Sequence, residues 1–331
     1  MKYIVNKSNN PEYNLAFEEY CFKHLEINPD EDYVILWING PAIIVGKNQN
    51  TLEEINKDYV DENKIQVVRR ITGGGAVYHD LGNLNFSILT LDTGEGRIDF
   101  AKYNIPIVKS LEKLGIEAEL SGRNDMTIEG KKFSGIAQSV WKNRVLNHGT
   151  LLFDTDLDVL SKGLNVKQDK IASKGVKSVK SRVTNIKPYM KEEADIYEFK
   201  EILLNTIFSM SDSKPVEYKL SEEDLENIDN LYKEKYSTWE WNYGSSPKFE
   251  YKNYKRFPFG SIDIRFNVID GVIRGTTIYG DFFGSKDVEV LENNLNGTNY
   301  EKQSIKAVLE EEPLEKYFGN ITKEELLDLI F

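Results

Sequence analysis

The sequence predicts an α+β protein in two parts: a larger unit of mixed β-sheets with flanking helices, and a small α+β unit behind it. Three observations carry that prediction. Short runs rich in Val, Ile, Leu and aromatic residues crowd the first half, bounded by Gly, Pro, Asn and Asp, which is the pattern of strands and turns. Other segments repeat apolar residues at helical spacing. WNYGSSPK (241–248) shifts the composition to Gly, Ser and Pro, a linker signal, and divides the 331 residues into units of 1–245 and 246–331.

The elements follow in order. Asn10-Pro11 ahead of EYNLAFEEYCFKHLE predicts a helix with proline in its first turn. DYVILWI (32–38) and AIIVG (42–46) are two strands split by a turn at Asn39-Gly40-Pro41. QVVRR (66–70) and LNFSILT (84–90) are strands on either side of a glycine-rich turn. FAKYNIPIVKSLEKLG (100–115) reads as a helix ending at a glycine despite Pro106, and IEAEL, MTIEG, KFSGIAQSVW and HGTLLF as short strands up to Phe153. Residues 194–210 and 221–236 have the spacing of amphipathic helices. In the small unit, SIDIRFNVIDGVIRGTTIYG is a hairpin around Asp270-Gly271, and VEVLENNLNG and KEELLDLIF are helices.

Composition narrows the function. A net charge of -12 and a pI of about 5.0 exclude a general binder of nucleic acid or anionic membrane, since both need a positive surface. Cys21 is the only cysteine, so no intrachain disulfide forms. The opening MKYIVNKSNNPEYN lacks the apolar core of a signal peptide, and no apolar run approaches the ~18 residues of a membrane span. The expectation is a cytoplasmic protein.

Four segments carry chemistry. In RRITGGGAVYHDLGNLNF (69–86), three consecutive glycines after a strand let backbone approach a ligand closely, and their amides make an anion-binding concavity. Arg69 and Arg70 beside them are able to clamp phosphate or carboxylate; the plainer reading is a tight turn. The run is neither a Walker A loop nor a dinucleotide fingerprint. In GRNDMTIEGKKFSGIAQ (122–138), Lys132 and its neighbour Lys131 open a strand of small residues. A lysine there can neutralise a carboxylate–phosphate adduct, or simply edge a solvated strand, and Asp125 is either a ligand-positioning group or a turn cap. In NHGTLLF (147–153), His148 is a general base or a hydrogen-bonding scaffold. Between 162 and 187, Lys162, Lys167, Lys170, Lys174, Lys177, Lys180, Arg182 and Lys187 face only Asp169. That is a positive patch for phosphate or an acidic partner, or a solvated face. No zinc-type spacing occurs.

Taken in this order, the segments resemble the lipoate–protein ligase family. RRITGGGAVYHDLGN resembles its hallmark, GRNDMTIEGKKFSG its Gly-Arg-Asn-Asp element and Lys-x-Ser-Gly strand, and HGTLLF and KGVKSVKSRVTN follow at the expected separations. NLAFEEY and VGKNQNT resemble its opening helix and first loop. The match is strong over residues 10–187 and weak beyond; Asn147 departs from the family's usual His-His-Gly-Thr.

The resemblance implies a biotin/lipoate-ligase-like catalytic domain with a C-terminal accessory domain. It also implies ATP and lipoate as substrates, Mg²⁺ arriving with ATP, and lipoyl-AMP as intermediate. Arg70, Gly75, Ala76, Val77 and Tyr78 match positions that hold the nucleotide and acyl phosphate, and Lys132 matches the lysine that contacts lipoate and adenylate. Gly73, Gly74, Asn83, Asp125 and His148 match positions lining or bracing the pocket. Leu36–Trp37, Val77–Tyr78 and Phe133–Ile136 are candidates for an apolar slot. Acceptors would be lipoyl domains of 2-oxoacid dehydrogenase acyltransferase subunits or the glycine-cleavage carrier protein, and the working unit a monomer. The alternative within the superfamily is an ATP-independent octanoyl or lipoyl transferase working through a cysteine thioester, for which Cys21 is the sole candidate.

Overall fold

Asn10 ends the extended chain and starts the first helix, Pro11–His24: its side chain accepts from the amides of Glu12 (2.9 Å) and Tyr13 (3.3 Å), and Pro11 needs no amide partner there. The computed structural model describes residues 1–28, 31–92, 100–121, 124–165, 182–210, 214–243 and 251–331, with side chains from residue 104 onward in the helix Phe100–Lys113.

The central element is a seven-stranded mixed sheet in the order β1-β2-β6-β10-β9-β8-β7. Its strands are Lys2–Ile4 (β1), Tyr33–Ile38 (β2), Asn83–Leu91 (β6), Glu119–Ser121 (β7), Asp125–Ile128 (β8), Lys131–Trp141 (β9) and Arg144–Leu152 (β10). Only β1 and β2 run parallel; the other pairs are antiparallel. A second sheet, ordered β4-β3-β5, joins Ala42–Val45 (β3), Gln66–Arg69 (β4) and Val77–His79 (β5). Although Asn39-Gly40-Pro41 is a short connection, β2 and β3 are not a hairpin. The chain changes sheets there, and the seam between the two sheets becomes a cleft.

Helices Phe100–Lys113 and Ile196–Ser209 cover one face of the large sheet, meeting Leu36, Phe86, Phe133 and Phe153 in one apolar cluster. The first helix covers the other face through Leu15, Phe17 and Phe22, with Ile35, Trp37, Ile44 and Val68. The predicted helix 221–236 is Glu222–Leu231, continued by one π-helical turn, Tyr232–Tyr236. Short helices at Thr51–Glu54, Lys57–Glu62 and Leu157–Gly163 have too few turns to show a period in the sequence.

The last part is an antiparallel meander of Tyr251–Phe257 (β11), Gly260–Ile269 (β12) and Val272–Gly280 (β13), with the expected turn at Asp270 and Gly271, both at positive φ. Helices Val288–Leu295, Lys302–Glu311, Leu314–Phe318 and Lys323–Ile330 pack on it, and its apolar cluster is built wholly from residues 257–330.

Phe199 stacks on Phe153 at 4.7 Å in the cluster under the large sheet, and both rings are buried. Phe199→Ala is expected to cost about 3–5 kcal/mol, measured as a lower urea midpoint with unchanged slope.

Candidate active site

The triple-glycine segment connects β4 to β5 and is shaped by Arg70. Its Nε donates to Thr72 Oγ1 (2.9 Å), Nη1 to the Ile44 carbonyl (3.1 Å), and Nη2 to the carbonyls of Gly73 (2.7 Å) and Gly75 (2.8 Å). Burial lowers the Arg70 pKa to about 10, against the pull of Glu18, so it stays charged at neutral pH. Gly74 sits at φ +93°, where a β-carbon is unfavourable. A Cβ on Gly73 would stand 2.4 Å from the Phe282 carbonyl oxygen. Arg69 points elsewhere, as adjacent strand residues do. It donates to the carbonyls of Gly46, Lys47 and Gln49 and to Thr51 Oγ1, bracing the turn after β3.

A buried polar chain ties this loop to the first helix. Thr72 Oγ1, already accepting from Arg70, lies 2.8 Å from His148 Nε2, and His148 Nδ1 lies 2.8 and 2.9 Å from the two Glu18 oxygens. The Nδ1–H tautomer of His148 satisfies every one of these contacts. Ser87 also donates to Glu18, and Trp37 Nε1 to Ser87 Oγ (2.9 Å). Both ring nitrogens of His148 are thus engaged within the protein.

Lys132 lies at the start of β9, inside the large sheet, paired with Thr127 of β8. Its carbonyl accepts from the Thr184 amide (2.8 Å), and it bridges to Val183. The VTN end of the lysine-rich segment thus fixes the backbone of this lysine. Its ammonium lies 2.7 Å from Asp125 Oδ1 and 3.2 Å from where a Cβ on Gly135 would stand, so glycine leaves room for it on the cleft side.

These groups meet in one cavity of about 110 Å³. Arg70, Gly74, Gly75, Ala76, Val77, Lys132 and His148 line it, with an apolar wall of Leu15, Trp37, Ile44 and Ile136. The small unit supplies Phe283, packed on Gly74. Among the described residues, no group of three His, Cys, Asp or Glu side chains is gathered for a metal ion.

Residues 10–208 match the family model described as the lipoyl protein ligase A/B catalytic domain, and residues 246–330 match the bacterial lipoate protein ligase C-terminus. The chain belongs to the lipoate–protein ligase family. It is 52% identical to the lipoate-protein ligase LplJ of Bacillus subtilis over the whole of both chains. Among solved structures, P. falciparum LipL1 in complex with lipoate matches with a TM-score of 0.78 at 28% identity, covering 99% of this chain and 97% of that one. A lipoate-protein ligase A bound with ATP matches with a TM-score of 0.63 at 29% identity, covering 73% and 98%.

Not every family-matched position reaches the cavity. The Tyr78 ring lies on the far side of the small sheet, among Ile43, Val45, Ile55, Val60 and Leu160, because it alternates with Val77 and His79. Gly73 is covered by Phe282. Asn83 and Asp125 do not line the cavity either: Asn83 Nδ2 donates to Asn85 Oδ1 (2.9 Å), and Asp125 pairs with Lys132. Of the candidates for the apolar slot, Trp37, Val77 and Ile136 face the cavity, whereas Leu36 and Phe133 belong to the core under the sheet. Lys167, Lys170, Lys174, Lys177 and Lys180 lie outside the described residues; Lys187 pairs with Asp154 at 2.7 Å.

Sequence reasoning passed over Glu18, Thr72, His79, Asn85, Asn124 and Phe283. Glu18 sits inside NLAFEEY, and Thr72, His79 and Asn85 inside the glycine-loop motif, so the motif itself was their only signal. His79 is buried, and desolvation, reinforced by the charge of Arg70, lowers its pKa from 6.5 to about 3. As pH falls below 6.5 the unfolded chain takes up a proton that the folded one refuses. The stability tied to neutral His79 is thus complete above 6.5 and drains away toward pH 3. His79→Gln is expected to flatten the loss of urea-unfolding free energy over that range; superimposable pH profiles for the two proteins would refute the assignment.

Proposed function

We infer that this chain is an ATP-dependent lipoate–protein ligase, which activates lipoate as lipoyl-AMP with release of pyrophosphate and passes the lipoyl group to an acceptor lysine. The observation that carries the reading is the single cavity where Arg70, the Gly74–Val77 backbone and Lys132 converge beside an apolar wall. It suits a ligand that is anionic at one end and apolar at the other.

A free carboxylate is a poor acyl donor, since its leaving group would be oxide. When its oxygen attacks the α-phosphate of ATP, a carboxyl–phosphate bond forms and pyrophosphate departs. Two anions must be held together for this, and fixed positive groups offset their repulsion. Lys132 and Arg70 are those groups: Lys132 meets the carboxylate and adenylate, while Arg70 holds the loop and adds charge. Mg²⁺ bound to ATP would neutralise part of the charge on its phosphates, which leaves the carboxylate end to Lys132 and Arg70. In the second step the acceptor amine attacks the acyl carbonyl, AMP leaves, and Lys132 stabilises the oxyanion.

The division at residue 245 is part of this reading, supported by the self-contained apolar cluster of the last part. So are a monomeric, cytoplasmic protein and the lipoyl domains or glycine-cleavage carrier protein as acceptors. A thioester route is disfavoured by the position of Cys21. Its thiol is buried inside the first helix, away from the cavity, and burial pushes its pKa well above the usual value.

Incubating the protein with lipoate, ATP, Mg²⁺ and a lipoyl domain should raise the acceptor's intact mass by one lipoyl group, only when ATP is present. A gain without ATP from an acylated carrier would establish the transferase instead. Lys132→Ala should lower turnover by about 10²-fold or more; near-normal turnover in a folded variant would remove Lys132 from the mechanism.

A further inference from the structure

The cavity wall carries two polar groups that the activation chemistry does not use. His79 and Asn85 line the cavity and are 4% and 2% exposed, and His79 Nε2 and Asn85 Nδ2 are both buried without a hydrogen-bond partner. Such orphans cost free energy unless a ligand or water meets them.

The surrounding amides fix His79 as a donor, and the pairing with Asn83 leaves Asn85 one open end. Asn6 Nδ2 donates to Asn14 Oδ1 (3.0 Å), Asn14 Nδ2 to Asn39 Oδ1 (2.8 Å), and Asn39 therefore turns its Nδ2 toward His79 Nδ1 (3.0 Å). An imidazole that accepts at Nδ1 and stays neutral carries its proton on Nε2. Asn83 Nδ2 occupies Asn85 Oδ1, which leaves the Asn85 amide nitrogen as the unpartnered end.

Register places these donors far from the charged end. Trp37 pairs with Asn85, Asn85 with Thr150, and Thr150 Oγ1 accepts from the Gly135 amide (3.1 Å), beside which the Lys132 ammonium sits. Two strand spacings, about 10 Å, separate Gly135 from Asn85. With a carboxylate at Lys132, an extended acyl chain reaches Asn85, Trp37 and His79 with its tail.

We propose that His79 Nε2–H and Asn85 Nδ2–H₂ are specificity groups for the acyl tail: they donate to the sulfurs of the dithiolane and so select it over an all-carbon tail of the same shape. Sulfur is a weak acceptor, but an all-carbon ring leaves both donors unmet, and a site built on donors penalises the analogue that lacks the acceptor. The inference rests on lipoate being the acyl substrate.

The test compares lipoate with cyclopentylpentanoate, in which both sulfurs are methylenes, by kcat/KM for ATP-dependent pyrophosphate release. The wild-type protein should favour lipoate by about tenfold or more. Asn85→Leu and His79→Phe should each reduce that ratio, the double variant should bring it near parity, and His79→Gln, which keeps a donor, should retain most of it. Because each ratio is taken within one protein, loss of folded material cancels. Equal use of both acids by the wild type, or an unchanged ratio in the double variant, would overturn the proposal while leaving the ligase intact. Absence of pyrophosphate release with either acid would instead remove the ligase reading and this inference with it. The wild-type ratio needs no variant, so a failure of the variants to fold does not spare the proposal.

Discussion

The buried guanidinium of Arg70 is the constraint on which the rest of the site depends. Taking a cation out of water costs several kcal/mol unless hydrogen bonds replace its hydration. Here the carbonyls of Ile44, Gly73 and Gly75 and the hydroxyl of Thr72 do so. The exchange runs both ways, since those bonds bend the glycine segment into its shape. Neutral acceptors leave this one charge largely uncancelled at the loop, in a protein of net charge -12. Burial, reinforced by the same charge, keeps His79 neutral, and a balancing carboxylate, Glu18, stands one histidine and one threonine away.

That chain of contacts explains why the two sheets meet as they do. Glu18 belongs to the first helix, His148 to β10 and Thr72 to the loop after β4, so one polar line joins helix, large sheet and small sheet through otherwise apolar surroundings. A buried network of this kind rigidifies a unique arrangement when every member is satisfied. The cleft then lies along the seam where the chain leaves β2 for β3, with Trp37 and Asn85 on one wall and Val77 and His79 on the other.

The sequence made much of this legible, for unequal reasons. The first helix could be read because Asn10 and Pro11 mark its start locally, and the glycine loop because its residues are contiguous. The apolar slot was only half legible. All six residues of β2 are buried, so no alternation of polarity tells Trp37, facing the cavity, from Leu36, facing the core. The side on which the Tyr78 ring lies was hidden for a related reason: the motif is continuous, but a strand turns alternate residues to opposite faces. His79 is set by Asn39, distant in sequence, and Asn85 is placed in the cavity by its register against Trp37 and Thr150; no local pattern announces such pairs. Phe283 is harder still, since it reaches the cavity from the other side of the linker.

The contact that brings Phe283 there is of a different kind from the cores on either side. It consists of the Lys47–Asp287 pair (2.6 Å), the Arg265–Glu53 pair (2.7 and 2.8 Å), the Gly280 amide on the Asn48 carbonyl (2.6 Å), and a long bond from the Gly74 amide to the Phe282 carbonyl (3.4 Å). Partly exposed ion pairs contribute about 0–1 kcal/mol each, and polar contacts between domains are ones that open readily. Meanwhile the Gly74 amide, in the segment that the sequence offered as an anion-binding turn, is directed at a protein carbonyl. That bond is long, so the hold it gives Phe282, and with it the ring of Phe283 that closes the wall, is weak.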